Sequence, residues 1–258
     1  MPTVELAAKD HIAYVTINRP EVLNCFDYQT LLSLEEAVQS LYTSKDARVV
    51  IFTGAGEKAF SAGADLKERQ HLNAQEVKRN VKKIRDVFSQ VAGLPQPTIA
   101  AINGYAFGGG FELALACDFR IAAKTAKMGL TETSMAIIPG AGGTQRLPRL
   151  IGEAKAMEMI LTAKRISAEE AERCGILNEA VEDSDLMAAC ERFAQDMLKN
   201  GPIALQQAKF AIKNGMNTDL ATGLEIESKA YELTIPTKDR LEALAAFNEK
   251  RKPRFKGE

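Results

Sequence analysis

The chain has 258 residues, of which 46% are hydrophobic and 26% are charged, and its formal net charge is −1. This hydrophobic content is sufficient for a buried core, whereas the balance of 33 basic and 34 acidic residues provides no basic excess for nucleic acid. No apolar run approaches the ~20 residues that cross a membrane. The amino terminus shows no signal peptide, so we expect a cytoplasmic protein that begins at or near Met1.

The first half of the chain predicts strands and helices in alternation. Strands are expected at 4–6, 12–17, 48–53, 98–102 and 119–123, and helices at 27–43 and 76–91. Such alternation favours right-handed crossovers and a sheet with mainly parallel strands. From about Gly152 the pattern is almost wholly helical, with helices expected at 184–198, 203–212, 219–231 and 237–250.

Cysteine and histidine positions argue against metal and redox chemistry. The cysteines at 25, 117, 174 and 190 form no Cys-x-x-Cys pair, which is typical of reduced cysteines in a cytosolic protein. The two histidines, His11 and His71, are far apart in the chain. We therefore expect no metal site and no nucleophilic triad that depends on histidine.

One glycine pattern suggests a dinucleotide site. Gly54-Ala-Gly-Glu-Lys-Ala59 follows a predicted strand and matches the G-x-G-x-x-A pattern. A dinucleotide-binding unit opens a helix at this point, whereas Phe60-Ser-Ala-Gly-Ala64 predicts another turn. We expect no nicotinamide cofactor, and no Gly-Lys-Ser/Thr sequence supports a P-loop.

Three consecutive glycines, Gly108 to Gly110, precede a helical pattern that carries Glu112. Glycine lets the backbone approach a ligand closely, and a helix start presents unpaired N–H groups at the positive end of the dipole. The segment is consistent with an oxyanion hole beside an acid or base. It is also consistent with a tight left-handed turn and a solvated glutamate, which the glycines alone favour.

A second carboxylate, Glu132, lies twenty residues after Glu112 in a mostly apolar and uncharged stretch. Such surroundings raise the pKa of a carboxyl group, which suits a proton donor near neutral pH. Two converging carboxylates can divide acid and base roles, although a single glutamate here is more often a helix N-terminal charge. Pro139 and the glycines at 140, 142 and 143 predict a tight loop before a helix.

Four motifs, in this order, resemble the signatures of the enoyl-CoA hydratase/isomerase (crotonase) superfamily. They lie at 18–24, 59–67, 102–118 and 138–146, and the ending at 246–252 is also similar, so the resemblance covers almost the whole chain. It implies an α/β fold, a crotonase-like spiral of repeated β-β-α units over residues 1–195. It further implies a helical region at 196–258 that forms a homotrimer, with a hexamer of two trimers as the family expectation.

The resemblance implies reversible addition of water across the 2,3 double bond of a short-chain or branched enoyl-CoA thioester. Backbone N–H groups of Ala64 and Gly109 would form the oxyanion hole. Glu112 would hold and deprotonate the water, and Glu132 would deliver a proton to Cα. Branches with other activities commonly replace one of these glutamates, so the pair favours a hydratase, with an enoyl-CoA isomerase as the alternative.

The same resemblance implies further contacts with the substrate, which itself carries coenzyme A, so that no separate cofactor is implied. Backbone groups of Ser61 and Ala62 would contact the adenine, and the side chains of Lys58 and Lys67 would lie near the phosphates. Gly140 would pack beside the acyl group, and Tyr231 and Lys250 would reach the coenzyme near a subunit boundary. Tyr231 replaces a more usual phenylalanine.

Three stretches, at 128–133, 234–240 and 252–258, look most like methylglutaconyl-CoA hydratases of leucine breakdown. Phe107 and Phe111 depart from the smaller or aliphatic residues common in the family. They either fill the core or, if they face the acyl pocket, limit chain length. Relatives near that group are linked to RNA binding through a lysine-bearing helix, but residues 29–42 contain no lysine or arginine, so we expect no RNA binding by that route.

Overall fold

The computed structural model describes residues 2–258. The strands are β1 (Val4–Lys9), β2 (Ile12–Ile17), β3 (Val49–Gly54), β4 (Ala59–Ser61), β5 (Thr98–Ile102), β6 (Tyr105–Phe107), β7 (Phe119–Ala123), β8 (Lys127–Gly129), β9 (Ile166–Ser167) and β10 (Glu179–Val181). The helices are α1 (Tyr28–Tyr42), α2 (Leu66–Arg69), α3 (Ala74–Gly93), α4 (Gly109–Ala116), α5 (Gly143–Ile151), α6 (Glu153–Leu161), α7 (Ala168–Arg173), α8 (Leu186–Leu198), α9 (Pro202–Gly215), α10 (Leu220–Glu232) and α11 (Lys238–Asn248).

The strands form two sheets. The larger has the order β1-β2-β3-β5-β7-β10 and the smaller has the order β4-β6-β8-β9. Only the β1–β2 and β8–β9 pairings are antiparallel. Along the chain, β3, β5 and β7 in the larger sheet are each followed by a short strand in the smaller sheet and then by helix. This repeated β-β-α arrangement confirms the predicted α/β spiral.

The larger sheet is covered on both faces, which explains why its central strands read as continuous apolar runs. In β3, Val50 and Phe52 lie in the main core, whereas Val49 and Ile51 face a second core that includes Leu186 and other residues of α8. The alternation of side chains along the strand thus serves two apolar layers. The larger sheet is therefore packed on both faces and provides a rigid support for the candidate site.

The starts of α1 and α3 follow the expected capping chemistry. Asp27 accepts a hydrogen bond of 2.7 Å from the backbone N of Thr30, so α1 begins at Tyr28 as the sequence predicts. Asn73 and Glu76 form a reciprocal capping box, which places the start of α3 at Ala74, two residues before the predicted start. Both helices bury their apolar faces in the main core.

Helix α9 is attached to the larger sheet through partly buried charges. Lys209 on α9 forms an ion pair of 2.6 Å with Asp118, and its Nζ donates to the carbonyl oxygen of Gln96 at 2.7 Å. The boundary that we predict at residues 195 and 196 falls within α8, which packs against β3, β5 and β7. The division into two regions stays a prediction.

Candidate active site

The glycine-rich turn connects β6 of the smaller sheet to the start of α4. Gly108 has φ +52° and ψ −124°, a backbone conformation that glycine adopts readily and other residues rarely do. A methyl group at Gly110 would lie only 2.0 Å from the carbonyl oxygen of Ser61. Glycine at 110 therefore allows the turn to pack directly against the second motif, residues 59–67.

Two backbone amides converge where these segments touch. A methyl group at Gly63 would lie 3.1 Å from the backbone N of Gly109, and one at Gly109 would lie 3.8 Å from the backbone N of Ala64. Within residues 2–258, neither the Ala64 N–H nor the Gly109 N–H donates a hydrogen bond. Two adjacent, unpaired amides are the donors that an oxyanion hole requires.

The segment that carries Ala64 is held against the first motif, residues 18–24, and the residues that follow it. Backbone N of Phe26 donates to Gly63 O at 2.8 Å, and Phe26 O accepts from backbone N of Asp65 at 2.9 Å. Arg19 adds an ion pair of 3.1 Å to the Asp65 carboxylate. These contacts on both sides of Ala64 fix the direction of its N–H without using its side chain.

Glu112 is buried, with 2% of its surface exposed, and is held by a loop distant in sequence. Its Oε1 accepts hydrogen bonds of 2.8 Å from the backbone N of Ala141 and of 2.8 Å from that of Gly143. Its Oε2 has no hydrogen-bond partner among the residues that the structure describes. Burial raises the pKa of Glu112 above its ordinary value, and the two amide donors and the nearby Arg146 guanidinium offset this only in part. The carboxylate is thus anchored by one oxygen and leaves the other available.

Glu132 is partly buried and begins a short 3-10 turn, Glu132–Met135. A methyl group at Gly108 would lie 3.4 Å from its Oε1, which places the carboxyl group beside the glycine turn. Its Oε2 is buried and has no hydrogen-bond partner among residues 2–258. Burial and the charge of Glu112 raise the pKa of Glu132 to about 7.

The two carboxyl groups therefore differ in the way that acid/base chemistry requires. Amide donors favour the ionised form of Glu112, whereas Glu132 receives little compensation for burial and lies close to a like charge. A single proton shared by the pair resides preferentially on Glu132 near neutral pH. The site can thus present one base and one acid at the same time.

Three of the other predicted positions lie around this centre. Ser61 is buried and its carbonyl oxygen packs against Gly110, while Ala62 donates from its backbone N to Leu23 O at 3.0 Å. Gly140 immediately precedes the amide of Ala141 that binds Glu112. The structure therefore brings Ser61, Ala62 and Gly140 together with the two glutamates and the two amides.

The other four predicted contacts are exposed side chains. Lys58 precedes β4, and Lys67 lies on α2 directly after the oxyanion segment. Tyr231, which is 67% exposed, lies near the end of α10, and Lys250 follows α11. No hydrogen bond or ion pair within residues 2–258 connects Tyr231 or Lys250 to Glu112 or Glu132. Contacts of these four residues with coenzyme A stay predictions.

Two features of the site were not predicted from the sequence. The amides of Ala141 and Gly143 act as donors to Glu112, whereas the neighbouring glycines in the sequence predict only a tight loop. The charge of Arg69 lowers the pKa of Glu132, and no sequence motif indicates this effect.

Across residues 2–258, no group of three or more His, Cys, Asp and Glu side chains is placed to hold a metal ion. No helix in that range has both the length and the apolar character needed to cross a membrane.

Comparisons with known proteins agree with the architecture. Residues 7–258 match the family model described as enoyl-CoA hydratase/isomerase. A putative enoyl-CoA hydratase/isomerase of Bacillus subtilis is 54% identical over 248 residues, covering 96% of this chain and 95% of that protein. Human mitochondrial methylglutaconyl-CoA hydratase is 49% identical over 251 residues, covering 96% of this chain and 74% of that protein. The crystal structure of an enoyl-CoA hydratase from Bacillus anthracis superimposes with a TM-score of 0.97 at 51% identity, covering 99% of this chain and 100% of that one.

Proposed function

The chain belongs to the enoyl-CoA hydratase/isomerase family, and from this we propose that it adds water reversibly across the 2,3 double bond of a short-chain or branched enoyl-CoA thioester. The observation that carries the proposal is the pair of carboxyl groups, one anchored by amides and one with a pKa of about 7, beside two unpaired backbone N–H groups. An isomerase needs to move only a proton, whereas hydration requires a water to be activated as well.

The proposed reaction begins with polarisation of the thioester. The carbonyl oxygen would accept hydrogen bonds from the N–H groups of Ala64 and Gly109. Negative charge develops on that oxygen as the β carbon is attacked, so these donors stabilise the enolate by roughly 3–4 kcal/mol each, by analogy with other oxyanion holes. Main-chain donors held on rigid elements require no reorganisation during the reaction.

Glu112 would position and deprotonate the attacking water through Oε2, the oxygen that the loop amides leave unpaired. The water oxygen forms a bond to the β carbon, and its proton passes to Glu112. The proton on Glu132 passes to the α carbon as the enolate collapses. Overall one water is added: the Glu132 proton is now on the α carbon, and Glu112 holds a proton taken from the water. Before the next cycle Glu112 must lose that proton and Glu132 must be protonated again.

A finer substrate proposal follows from the relatives. Human and rodent methylglutaconyl-CoA hydratases are 49–50% identical to this chain. We propose a branched substrate of that kind, with a general short-chain enoyl-CoA as the alternative. The test follows loss of enoyl thioester absorbance with crotonyl-CoA and 3-methylglutaconyl-CoA in parallel. A much higher kcat/KM for the branched substrate supports the finer proposal. If the absorbance decreases with neither substrate, the proposed hydratase activity is contradicted.

We further propose that the C-terminal helices assemble the protein into homotrimers or a hexamer. Large apolar side chains are strongly exposed on or beside α9, α10 and α11, including Met216 at 82%, Leu220 at 79% and Phe247 at 81%. Apolar residues in this number on one region are typical of a surface that is covered in an assembly. Light scattering coupled to gel filtration would give the mass, and a monomer at micromolar concentration would contradict the proposal.

A further inference from the structure

The first motif, residues 18–24, supplies no group to the proposed reaction, and one of its residues, Arg19, is largely buried. The Arg19 side chain is only 15% exposed. A guanidinium that is removed from water is stable only when other groups replace its hydrogen bonds to water. The partners of Arg19 therefore show which part of the molecule the motif supports.

The guanidinium has partners on two neighbouring segments. Its Nη1 donates to the carbonyl oxygen of Cys25 at 2.7 Å, and its Nη2 lies 3.1 Å from the Asp27 carboxylate. The same Nη2 lies 3.1 Å from the carboxylate of Asp65, the residue that follows the oxyanion donor Ala64. One side chain thus joins the two segments.

The two segments also pair through their backbones around Ala64. Phe26 and Ala64 form an isolated parallel β-bridge. Within it, Gly63 O accepts from the backbone N of Phe26 at 2.8 Å, and the backbone N of Asp65 donates to Phe26 O at 2.9 Å. Two short paired segments are only marginally stable by themselves. The alignment of this bridge therefore depends on the side-chain contacts beside it.

Arg19 is itself held in place by Asn24, at the other end of the motif. The backbone N of Arg19 donates to Asn24 Oδ1 at 2.9 Å, and Asn24 Nδ2 donates to Ala59 O at 2.7 Å. Asn24 is fully buried and has φ +56°, a conformation that asparagine adopts more readily than most residues. The arginine is thus anchored to β4, the strand that leads into the oxyanion segment.

We propose that Arg19 is a positioning residue that orients the Ala64 N–H toward the thioester carbonyl oxygen, acting through the Asp65 carboxylate and the Cys25 carbonyl. This inference rests on the proposed function, because it assumes that the Ala64 amide binds that oxygen. It deepens that function by giving the first motif a part in the oxyanion hole. Hydrogen bonds weaken steeply when they are misaligned, so a small rotation of the segment would weaken the donor without removing it.

The test measures the hydrogen bonds to the carbonyl oxygen directly. Butyryl-CoA labelled with carbon-13 at the thioester carbonyl is saturated and binds without reacting. Hydrogen bonds to the oxygen lower the infrared C=O stretching frequency, so the downshift at saturation reports the donors Ala64 and Gly109. Calorimetry on the same full chain gives the dissociation constant, and hydration of crotonyl-CoA gives kcat.

Arg19→Met removes the charge and its hydrogen bonds, and Arg19→Lys keeps the charge without the planar fork. Arg85→Met is the matched control, because it removes one positive charge from an exposed arginine on α3 that pairs with its neighbour Asp86. Since one of two donors is misaligned, Arg19→Met is expected to lose about half of the downshift and to lower kcat by ~10- to 100-fold, less than complete removal of an oxyanion donor. Its dissociation constant should change little. Arg19→Lys should lose less, and Arg85→Met nothing.

A milder pair of variants tests the same link if Arg19→Met does not fold. Asp65 Oδ1 accepts from the backbone N of Lys67 and caps α2, and Asp27 Oδ1 accepts from the backbone N of Thr30 and caps α1. In both residues the Oδ2 pairs with Arg19. Asparagine at either position keeps the capping oxygen and removes the charge. Asp65→Asn should lose part of the downshift, and Asp27→Asn should lose less, because only Asp65 is joined directly to Ala64.

A full downshift in Arg19→Met, or in Asp65→Asn where the arginine variant does not fold, would overturn the proposal. A lower Tm and kcat with an unchanged downshift would do so as well, because they would assign Arg19 to the stability of the fold alone. A wild-type protein that produces no downshift would also contradict it. If the wild type produces the downshift but hydrates neither crotonyl-CoA nor 3-methylglutaconyl-CoA, the proposed function fails, and the infrared comparison still decides the role of Arg19.

Discussion

Replacement of Glu112 by glutamine removes the negative charge of the side chain and keeps its hydrogen bonds to the loop. Glutamine keeps an oxygen at the position of Oε1, so it can still accept from the amides of Ala141 and Gly143. It cannot take a proton from water. Glu112→Gln is therefore expected to lower kcat for the preferred enoyl-CoA by ~10²- to 10⁴-fold, the usual scale of general acid–base catalysis, with little change in binding of a saturated thioester.

Alanine at the same position removes the acceptor as well. Each buried N–H left without a partner costs ~1–3 kcal/mol, so the two amides together give ~2–6 kcal/mol of local destabilisation. A factor of ten corresponds to about 1.4 kcal/mol, so amide exchange at Ala141 and Gly143 should accelerate by at least ~10-fold in Glu112→Ala. In Glu112→Gln the acceleration should be much smaller.

The assay combines steady-state hydration with hydrogen–deuterium exchange of the peptide that spans 139–146. Glu36→Gln, an exposed carboxylate on α1, controls for the loss of one negative charge. Turnover of Glu112→Gln close to that of the wild type would refute the role of Glu112 as base. Unchanged exchange at 141 and 143 in Glu112→Ala would refute the proposed anchoring of the loop.

Two further predictions concern the other carboxyl group and the glycine turn. Glu132→Gln is expected to lower kcat by ~10²-fold or more. The wild-type kcat/KM should fall as the pH rises through about 7, where Glu132 of the free protein loses its proton, and an unchanged high-pH limb in the variant would contradict this. Because the pKa of Glu132 is raised on folding, its stabilising contribution is present at low pH and is lost as the pH rises through about 7. The gain in Tm from Glu132→Gln should therefore be larger at about pH 8 than at about pH 5. Gly110→Ala should lower Tm and abolish most turnover, since the new methyl group would lie 2.0 Å from Ser61 O, whereas Gly201→Ala, with its nearest atom at 3.9 Å, should cost far less in both measurements.

The sequence predicted the long elements and the identity of the candidate residues better than the smaller sheet. α1 and α3 have several turns of apolar periodicity and a clear cap, so their positions could be predicted closely. The smaller sheet was missed because β4, β6 and β8 have only three residues each, which is too short for an alternating pattern to be recognised.

The site likewise has features that the sequence predicts and features that it does not. A glycine run and two glutamates can be recognised in the sequence. The donors to Glu112 are backbone amides of Ala141 and Gly143, and residue type does not indicate which backbone amide will donate. Arg69 escaped notice because one charged residue on a four-residue helix is usually a solvated surface group. Only its electrostatic effect on the pKa of Glu132 distinguishes it.

The oxyanion donors belong to the main chain, and this has a consequence for how the protein tolerates mutation. The side chain of Ala64 supplies nothing to the proposed chemistry, so small replacements there should be accepted in a saturation screen for activity. Gly63, with φ +96°, and Gly108, with φ +52°, supply no reacting atom, but any side chain at either is strained. Within the oxyanion hole, selection over evolutionary time should therefore be stricter at Gly63 and Gly108, which supply no reacting atom, than at Ala64, whose N–H is a proposed donor.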